Sequence, residues 1–292
     1  MDIKPFIDGV EKQNLNLEGL VVFRQGVECA RYRWVPEQRR AVYSVSKSFA
    51  AVAAGMAIGE GRLRLSDRVT RIVTRRGPDS RWDSLTLEHL LTMTMGCRRF
   101  TRPRSLEEAL SYELVNDPGT CFVYDNTCTF LISAMLTRVT GLTLRDYLLD
   151  RLFRPLGIPD PEWAQSEDGY SIGASGLALA TSELALFGRF LLQRGSWEGR
   201  QLVSAAWIDG ATRTQFPTRF AHSKPDNDLG YGYQFWICRH GAYRCDGKDG
   251  QYIIVFPALD AVVTINASEE NQQPILWAVW DYLLPQLKSE AA

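Results

Sequence analysis

Ser44 and Lys47 stand three residues apart, just ahead of an uncharged segment that runs from residue 48 to residue 59. This spacing places the two side chains on one face of a helix, one turn from each other. If the helix is buried, desolvation disfavours the ammonium form and lowers the pKa of the lysine. A neutral lysine amine can accept the proton of a serine. The pair therefore predicts a nucleophilic serine that needs no histidine.

A Ser-x-x-Lys pattern also arises by chance, because two of its four positions are free. The context favours the functional interpretation. Residues 49–58 are apolar or small on every side of the predicted helix, which is typical of a central, buried helix. Gly59, Glu60 and Gly61 are expected to end it.

Tyr124 and Asn126 form the second candidate, after a turn predicted at residues 117–120. A phenol beside a lysine can ionise, because the cation favours the charged form, and it can then relay a proton. An amide two residues further on can hold a substrate carbonyl. The alternative is that Asn126 caps a helix and Tyr124 is a loop aromatic. The sequence leaves both interpretations open.

The third candidate is the segment 245–251, which lies between two predicted strands and contains Asp246, Gly247 and Lys248. Glycine here would let a substrate lie along the strand edge. A backbone N–H could also serve as half of an oxyanion hole. The alternative is a plain hairpin turn.

The elements that must position these residues follow from hydrophobic periodicity and turn residues. Helices are predicted at residues 1–13, 44–59, 85–95, 107–115, 126–140, 143–153, 182–193 (with Thr181 or Ser182 as N-cap) and 273–287. Strands are predicted at residues 20–23, 27–34, 231–239, 242–245, 251–256 and 261–265. Strands thus lie near both ends of the chain and helices in the middle, which indicates an α+β fold.

We therefore predict an antiparallel β-sheet flanked by helices, with a mostly helical domain inserted into it. The predicted sheet domain comprises residues 1–67 and 202–292, and the inserted helical domain comprises residues 68–201. The active site is expected at their interface.

The composition is that of an ordinary globular protein: 292 residues, 45% hydrophobic and 23% charged, with a net charge of −1. This balance gives no electrostatic basis for binding nucleic acid or an anionic membrane, so neither partner is predicted. The amino terminus has no apolar signal-peptide core, and residues 48–59 are too few to span a bilayer, so we expect a cytoplasmic protein. Six cysteines without a C-x-x-C pair predict neither a disulfide framework nor a zinc site. The oligomeric state is left open.

Arg98, Arg99, Arg102 and Arg104 form a local basic cluster. It is either a solvated loop or a rim that attracts a carboxylate to the site, and the sequence does not decide between them.

Two other hydrolase classes fit the sequence poorly. The one G-x-S-x-G match, at residues 169–173, follows no predicted strand and opens no predicted helix, so it does not form a nucleophile elbow. The only histidines of the chain are His89, His222 and His240. These three show no metal-ligand spacing. A histidine-dependent triad, a metal and any other cofactor are therefore not predicted.

The three motifs, in their order along the chain, resemble the serine β-lactamase and penicillin-binding-protein superfamily. Within it they resemble class C β-lactamases, family VIII esterases, D-aminopeptidase-like enzymes and the 6-aminohexanoate-dimer hydrolase type. The resemblance implies that Ser44 forms the acyl-enzyme, that Lys47 activates it and that Tyr124 is a general acid or base. It implies that Asn126 holds the substrate. The implied oxyanion donors are the backbone N–H groups of Ser44 and Lys248.

The third motif departs from the family pattern, which usually opens with Lys or His, then Thr or Ser, then Gly. Cys245, Asp246 and Gly247 occupy these places. A cation there would bind a carboxylate, whereas Asp246 would repel it. We therefore expect a serine hydrolase that forms an acyl-enzyme with a small ester, a neutral amide or a substrate that carries an amine. Asn126, Asp246, Gly247 and Lys248 are expected to contact this substrate. The alternatives are a catalytically silent binding or scaffold protein of the same fold, or a true β-lactamase or D-amino-acid peptidase.

Overall fold

A six-stranded antiparallel sheet is the centre of the computed structural model, which describes residues 1–74, 77–98, 100–218 and 225–289. The strands of the main sheet and of two short pairs are β1 (Leu17–Arg24), β2 (Val27–Arg33), β3 (Arg40–Ala41), β4 (Ala178–Leu179), β5 (Ser196–Trp197), β6 (Arg200–Gln201), β7 (Trp236–Ile237), β8 (Tyr243–Gly247), β9 (Gln251–Phe256) and β10 (Ala261–Ala267). The order in the main sheet is β2-β1-β10-β9-β8-β7. Strands from the two ends of the chain therefore pair side by side.

Helices cover the sheet and fill the middle of the chain. They are α1 (Lys4–Lys12), α2 (Ser46–Gly59), α3 (Val69–Ile72), α4 (Leu87–Leu91), α5 (Leu106–Ala109), α6 (Asn126–Thr140), α7 (Leu144–Leu148), α8 (Thr181–Leu192), α9 (Ala205–Ala211), α10 (Gln273–Ala278) and α11 (Leu284–Ser289). Two π-helical segments, Leu149–Phe153 and Val279–Leu283, continue α7 and α10. Short 3₁₀ turns lie at Tyr43–Val45, Ser80–Ser84, Pro225–Asn227, Arg239–Gly241 and Pro257–Leu259.

Both faces of the sheet are buried. Side chains alternate across a strand. In β9, Ile253 and Val255 therefore join the core that contains α2, α6 and α8, whereas Tyr252 and Ile254 join a second core with α1 and α10. This double burial explains why β9 and β10 read as nearly continuous apolar segments, and it places α2 in a central layer of the molecule.

Helix α2 is buried from Ser46 to Ala57, as its uncharged sequence predicts. The indole of Trp207 lies directly on it, and its Nε1 donates a hydrogen bond to the Ala51 carbonyl over 3.1 Å. A Cβ added at Gly55 would lie 2.2 Å from that indole nitrogen, which is closer than two such atoms can approach. A side chain at position 55 would therefore displace the indole.

Replacing Gly55 by alanine is expected to destabilise the protein by about 1–3 kcal/mol, because overpacking a filled core forces side chains out of their rotamers. Gly59→Ala is the matched control, since it lies in the same helix and a Cβ there meets nothing within 4 Å. The control should change the free energy of unfolding by less than about 1 kcal/mol, and in the stabilising direction. Urea denaturation measures both. Equal stabilities of the two variants would contradict the packing at Gly55.

Several predicted elements are shorter in the structure, because a residue with positive φ or a β-bridge interrupts them. Helix α4 ends at Leu91 rather than at residue 95, because Met93 adopts a φ of +59°. Within the predicted strand 231–239, residues 236–237 form a strand and Tyr231 forms only isolated β-bridges, since Gln234 has a φ of +66°. The predicted helix at residues 107–115 is reduced to α5 because Leu114 instead forms a β-bridge with Cys97.

The predicted cap of α8 is wrong as well. The helix begins at Thr181, so Ala180 is the N-cap residue, and its backbone N–H donates to the Glu183 carboxylate over 2.9 Å. Helix α8 packs against β1, β9 and β10. The fold class is confirmed, and the two-domain division stays a prediction.

No single helix in the described ranges is long and apolar enough to cross a membrane. Two helical segments, Asn126–Thr140 and Leu144–Phe153, reach that length and apolar composition only when taken together, and they meet at an angle of 71°.

Candidate active site

Ser44 lies in the 3₁₀ turn Tyr43–Val45 immediately before α2, and Lys47 lies in the first turn of that helix. The sequence predicted both residues on one continuous helix, but a 3₁₀ turn intervenes, with Tyr43 at a φ of +47°. Ser44 and Lys47 still lie about one helical turn apart, because the 3₁₀ turn continues directly into the α-helix. Ser44 is half-buried on the wall of a cavity, whereas the Lys47 side chain is only 1% exposed.

Three oxygens surround the Lys47 amine. Its Nζ lies 3.1 Å from Ser44 Oγ, 2.7 Å from Asn126 Oδ1 and 2.8 Å from the Ala174 carbonyl oxygen. The last two oxygens can only accept hydrogen bonds. A neutral amine has two hydrogens for them, which leaves its lone pair for the Ser44 hydroxyl. The geometry therefore suits a neutral lysine that accepts the serine proton.

The pKa of Lys47 favours the same protonation state. Burial lowers this pKa from its usual 10.5 to about 7, and it outweighs the opposing effect of the nearby Asp125 carboxylate. The positive charge of Arg102 contributes a further small lowering. Near neutral pH, a substantial fraction of the amine is uncharged.

Tyr124 is held over the site by aromatic packing. Its ring stacks on Trp236 with centroids 5.5 Å apart and meets Tyr231 edge-on at 6.1 Å. Lys47 Nζ lies 5.0 Å from the centre of the Tyr124 ring. Burial raises the pKa of the phenol well above its usual value, and the neighbouring Ser44 hydroxyl only partly opposes this. Desolvation therefore favours the neutral phenol over the phenolate that a neighbouring lysine could stabilise.

Asn126 begins helix α6, but it is not the cap. The Asp125 carboxylate caps the helix instead, accepting a hydrogen bond from the Thr127 N–H over 2.8 Å. The Asn126 amide oxygen is consequently available to Lys47. The sequence left capping and substrate binding as alternatives for Asn126, and the structure assigns the capping to its neighbour.

Gly247 ends β8 next to the turn that carries Ser44. A Cβ built on Gly247 would lie 2.4 Å from the Val42 carbonyl oxygen, so only glycine permits this approach. Lys248 follows on the cavity wall, and its Nζ lies 5.8 Å from the centre of the Tyr43 ring. The close contact at Gly247 thus places the third motif beside the nucleophile turn.

Asp246 lines the same cavity but does not present a bare negative charge. Arg244 Nε lies 2.9 Å from Asp246 Oδ2, and the guanidinium is completely buried. The same guanidinium donates to the Asp226 carbonyl over 3.0 Å and to the Asn227 side chain. The repulsion of carboxylates expected from Asp246 is therefore weakened by a permanent positive charge at its side.

The cavity has a volume of about 870 Å³. Besides the third motif, the cavity wall includes the loop with Phe100, Arg102 and Arg104. The turn with Gln165 and Glu167 also lines the cavity. Two members of the predicted basic cluster therefore face the site region.

Four further candidate residues, three histidines and one arginine, do not line the cavity or lie outside the described residues. His89 is structural, because its Nδ1 accepts a hydrogen bond from the Thr86 N–H over 3.2 Å at the start of α4. His240 sits in the turn Arg239–Gly241, before β8. Arg99 and His222 lie outside the described residues.

The structure brings Ser44, Lys47, Tyr124 and Asn126 together, with Lys248 beside them. Sequence reasoning missed two contributors. Ala174 acts through its backbone oxygen, which no side-chain motif reveals, although the neighbouring Gly173, with a φ of +69°, marks an unusual turn. Arg244 stands two residues before Asp246, and this spacing on one strand face could have predicted their ion pair.

The comparisons with known proteins identify the family of the chain. The sequence matches the model of the family described as Beta-lactamase over residues 18–277. The 6-aminohexanoate-dimer hydrolase of Paenarthrobacter ureafaciens is 25% identical over 269 residues, which cover 81% of this chain and 68% of that relative. The chain therefore has a hydrolase among its homologues.

Two solved structures share the fold. A β-lactamase from Mycobacterium bovis has a TM-score of 0.75 at 22% identity, covering 97% of this chain and 99% of its own. The octameric penicillin-binding protein homologue from Pyrococcus abyssi has a TM-score of 0.78 at 18% identity, covering 98% of this chain and 78% of its own. At these identities the likeness concerns the fold alone. Together with the sequence matches, it confirms the resemblance that the motifs indicate.

Proposed function

The chain belongs to the Beta-lactamase family, and from this premise we propose that it is a serine hydrolase that cleaves a small ester or amide through an acyl-enzyme on Ser44. The observation that carries the proposal is the 3.1 Å approach of the buried Lys47 amine to the Ser44 hydroxyl, at the wall of a cavity of about 870 Å³. A cavity of this size suits a small-molecule substrate.

In the proposed first step, Ser44 Oγ attacks the substrate carbonyl carbon and its proton passes to the neutral Lys47 amine. The oxyanion is stabilised by the backbone N–H groups of Ser44 and Lys248. The bond to the leaving group then breaks, and the proton reaches that group from Lys47 by way of the neutral Tyr124 hydroxyl. Asn126 orients Lys47 through its amide oxygen and can offer its amide N–H₂ to the substrate.

In the second step, a water molecule attacks the acyl-enzyme carbonyl. Its proton returns through the same groups to Ser44, and the acid product leaves. This route uses Lys47 as the base and Tyr124 as a neutral proton donor, a division supported by the lowered pKa of the amine and the raised pKa of the phenol.

The test is covalent labelling of the wild-type protein with a fluorophosphonate probe, followed by mass spectrometry of the peptides. The expected adduct lies on the peptide that contains Ser44, and short-chain p-nitrophenyl esters should be turned over. The absence of both labelling and turnover would favour a catalytically silent binding protein instead. Nitrocefin separates the remaining alternative, because rapid ring opening would favour a true β-lactamase.

A further inference from the structure

Arg102 is a positive charge on the cavity wall that has no neutralising partner among the described residues. Within the described ranges, no carboxylate lies within ion-pair distance of its guanidinium, and the side chain is exposed. Each other charged group on the wall is paired with an opposite charge. Arg104 pairs with Glu108 over 3.4 Å and with Glu167 over 3.8 Å, Asp246 pairs with Arg244 over 2.9 Å, and Lys248 pairs with Asp249 over 3.6 Å. The cavity therefore carries one uncompensated positive charge.

The backbone that carries Arg102 is anchored rather than loose. The N–H and hydroxyl of the preceding residue, Thr101, both donate to Asp125 Oδ1, over 3.3 and 2.6 Å. The same hydroxyl also contacts the Thr127 hydroxyl. Asp125 is 1% exposed and directly follows Tyr124, so the loop is tied to the segment that carries the candidate catalytic residues. The Arg102 guanidinium lies 5.1 Å from the Phe100 ring centre, a contact that leaves its donors available.

Arg102 is also close enough to the reacting groups to act on a substrate bound there. It lines the same cavity as Ser44, and its charge contributes to the lowered pKa of Lys47. The two carboxylates on the wall, Asp246 and Glu167, are paired with Arg244 and Arg104. The uncompensated cation is therefore on the loop of residues 100–104, away from the third motif.

We propose that Arg102 determines specificity by binding a carboxylate of the substrate, so that the site prefers esters or amides that carry a remote carboxylate. This inference rests on the hydrolase function proposed above. A guanidinium presents two parallel donors that match a carboxylate. The proposal assigns anion recognition to the loop of residues 100–104, whereas the substitution of Asp246 for a hydroxyl residue in the third motif led to the opposite expectation.

The experiment compares two esters that differ in one charge, p-nitrophenyl hexanoate and mono-p-nitrophenyl adipate. The adipate spacer is long enough to limit self-hydrolysis by its own carboxylate. The quantity measured is the ratio of kcat/KM for adipate to that for hexanoate. Arg102→Gln should lower this ratio about tenfold, mainly through the KM for adipate, because a charge-assisted contact at a partly exposed site has this order of strength. Arg102→Lys should restore part of the ratio, and added salt should reduce it in the wild type.

Arg104→Gln is the matched control, since it removes a neighbouring arginine that is already paired, and it should leave the ratio within about twofold of the wild type. A ratio that does not change in Arg102→Gln, with hexanoate still hydrolysed in a Ser44-dependent way, would overturn the inference and leave the hydrolase function intact. A ratio that falls in Lys248→Gln but not in Arg102→Gln would also overturn it. If the wild type hydrolyses neither ester, the hydrolase function fails and this inference fails with it.

Discussion

Replacing Ser44 by alanine is expected to abolish fluorophosphonate labelling and to lower kcat for p-nitrophenyl esters by at least about 10⁴-fold, because removing a nucleophile removes the acyl-enzyme route entirely. The Lys47 amine would then face an empty position in place of the hydroxyl 3.1 Å away. The loss should appear in kcat as well as in kcat/KM, since the missing bond forms only after substrate has bound. Steady-state ester hydrolysis and intact-protein mass spectrometry measure the two effects.

Ser175→Ala supplies the matched control. Ser175 lines the same cavity and follows Ala174, but the contacts of Lys47 are with Ser44, Asn126 and the Ala174 carbonyl. The control should keep kcat within about tenfold of the wild type, since the Ser175 side chain makes none of the contacts of Lys47 and removes no proton-transfer group. Equal labelling and turnover in Ser44→Ala and the wild type would refute the nucleophile. Thermal melting of both variants checks that the fold is intact.

The part of the site built from local sequence was predictable. Ser44 and Lys47 are close because one helical turn joins them, and that relation holds although a 3₁₀ turn replaces the first part of the helix. The burial of Lys47 also follows from local sequence, since every neighbour in α2 is apolar or small. The spatial approach of Tyr124 and Asn126 depends on tertiary packing, so it came only from the resemblance to a family.

The electrostatics of the third motif were predictable only in part, because the Arg244–Asp246 spacing is local whereas the other partners of Arg244 are distant in sequence. Asp246 alone suggests a repulsive site, but its effect depends on Arg244, which is completely buried and hydrogen-bonded to Asp226 and Asn227. A long-range network of this kind leaves no periodic signal in the sequence. The position of Arg102 depends likewise on the hydrogen bonds between Thr101 and Asp125.

The helices and strands were predictable where apolar periodicity was strong. Their bounds were mispredicted where single residues adopt positive φ. Strands β9 and β10, and helix α6 with Gly141 after it, lie close to the predicted ranges. Met93 and Gln234 interrupt predicted elements with left-handed backbone conformations. Neither is a residue type that favours this region, so tertiary contacts rather than intrinsic preference impose these breaks.

Replacing Lys47 by methionine is expected to lower kcat/KM by about 10³-fold, because methionine has similar bulk but cannot accept the Ser44 proton. In the wild type, kcat/KM should rise with pH through an apparent pKa near 7 and level off above about pH 8, since only the uncharged amine is a base. The methionine variant should lose this rise. A wild-type profile that is already flat below pH 6 would contradict the assignment of Lys47 as the base.

The same variant gives a second measurement that does not depend on activity. The pKa of Lys47 is about 7 in the folded protein and near 10.5 in the unfolded chain, so the unfolded chain binds more protons between these two pH values. The contribution of Lys47 to the free energy of unfolding should therefore rise with pH across this window. Relative to Lys47→Met, which lacks the titrating group, the gain should be roughly 3 kcal/mol between pH 7 and pH 10. Urea denaturation of both proteins at several pH values measures the difference, and other titrating groups cancel in it. A difference independent of pH would mean that the buried amine keeps its proton in the folded state, and Lys47 could then not take the proton of Ser44.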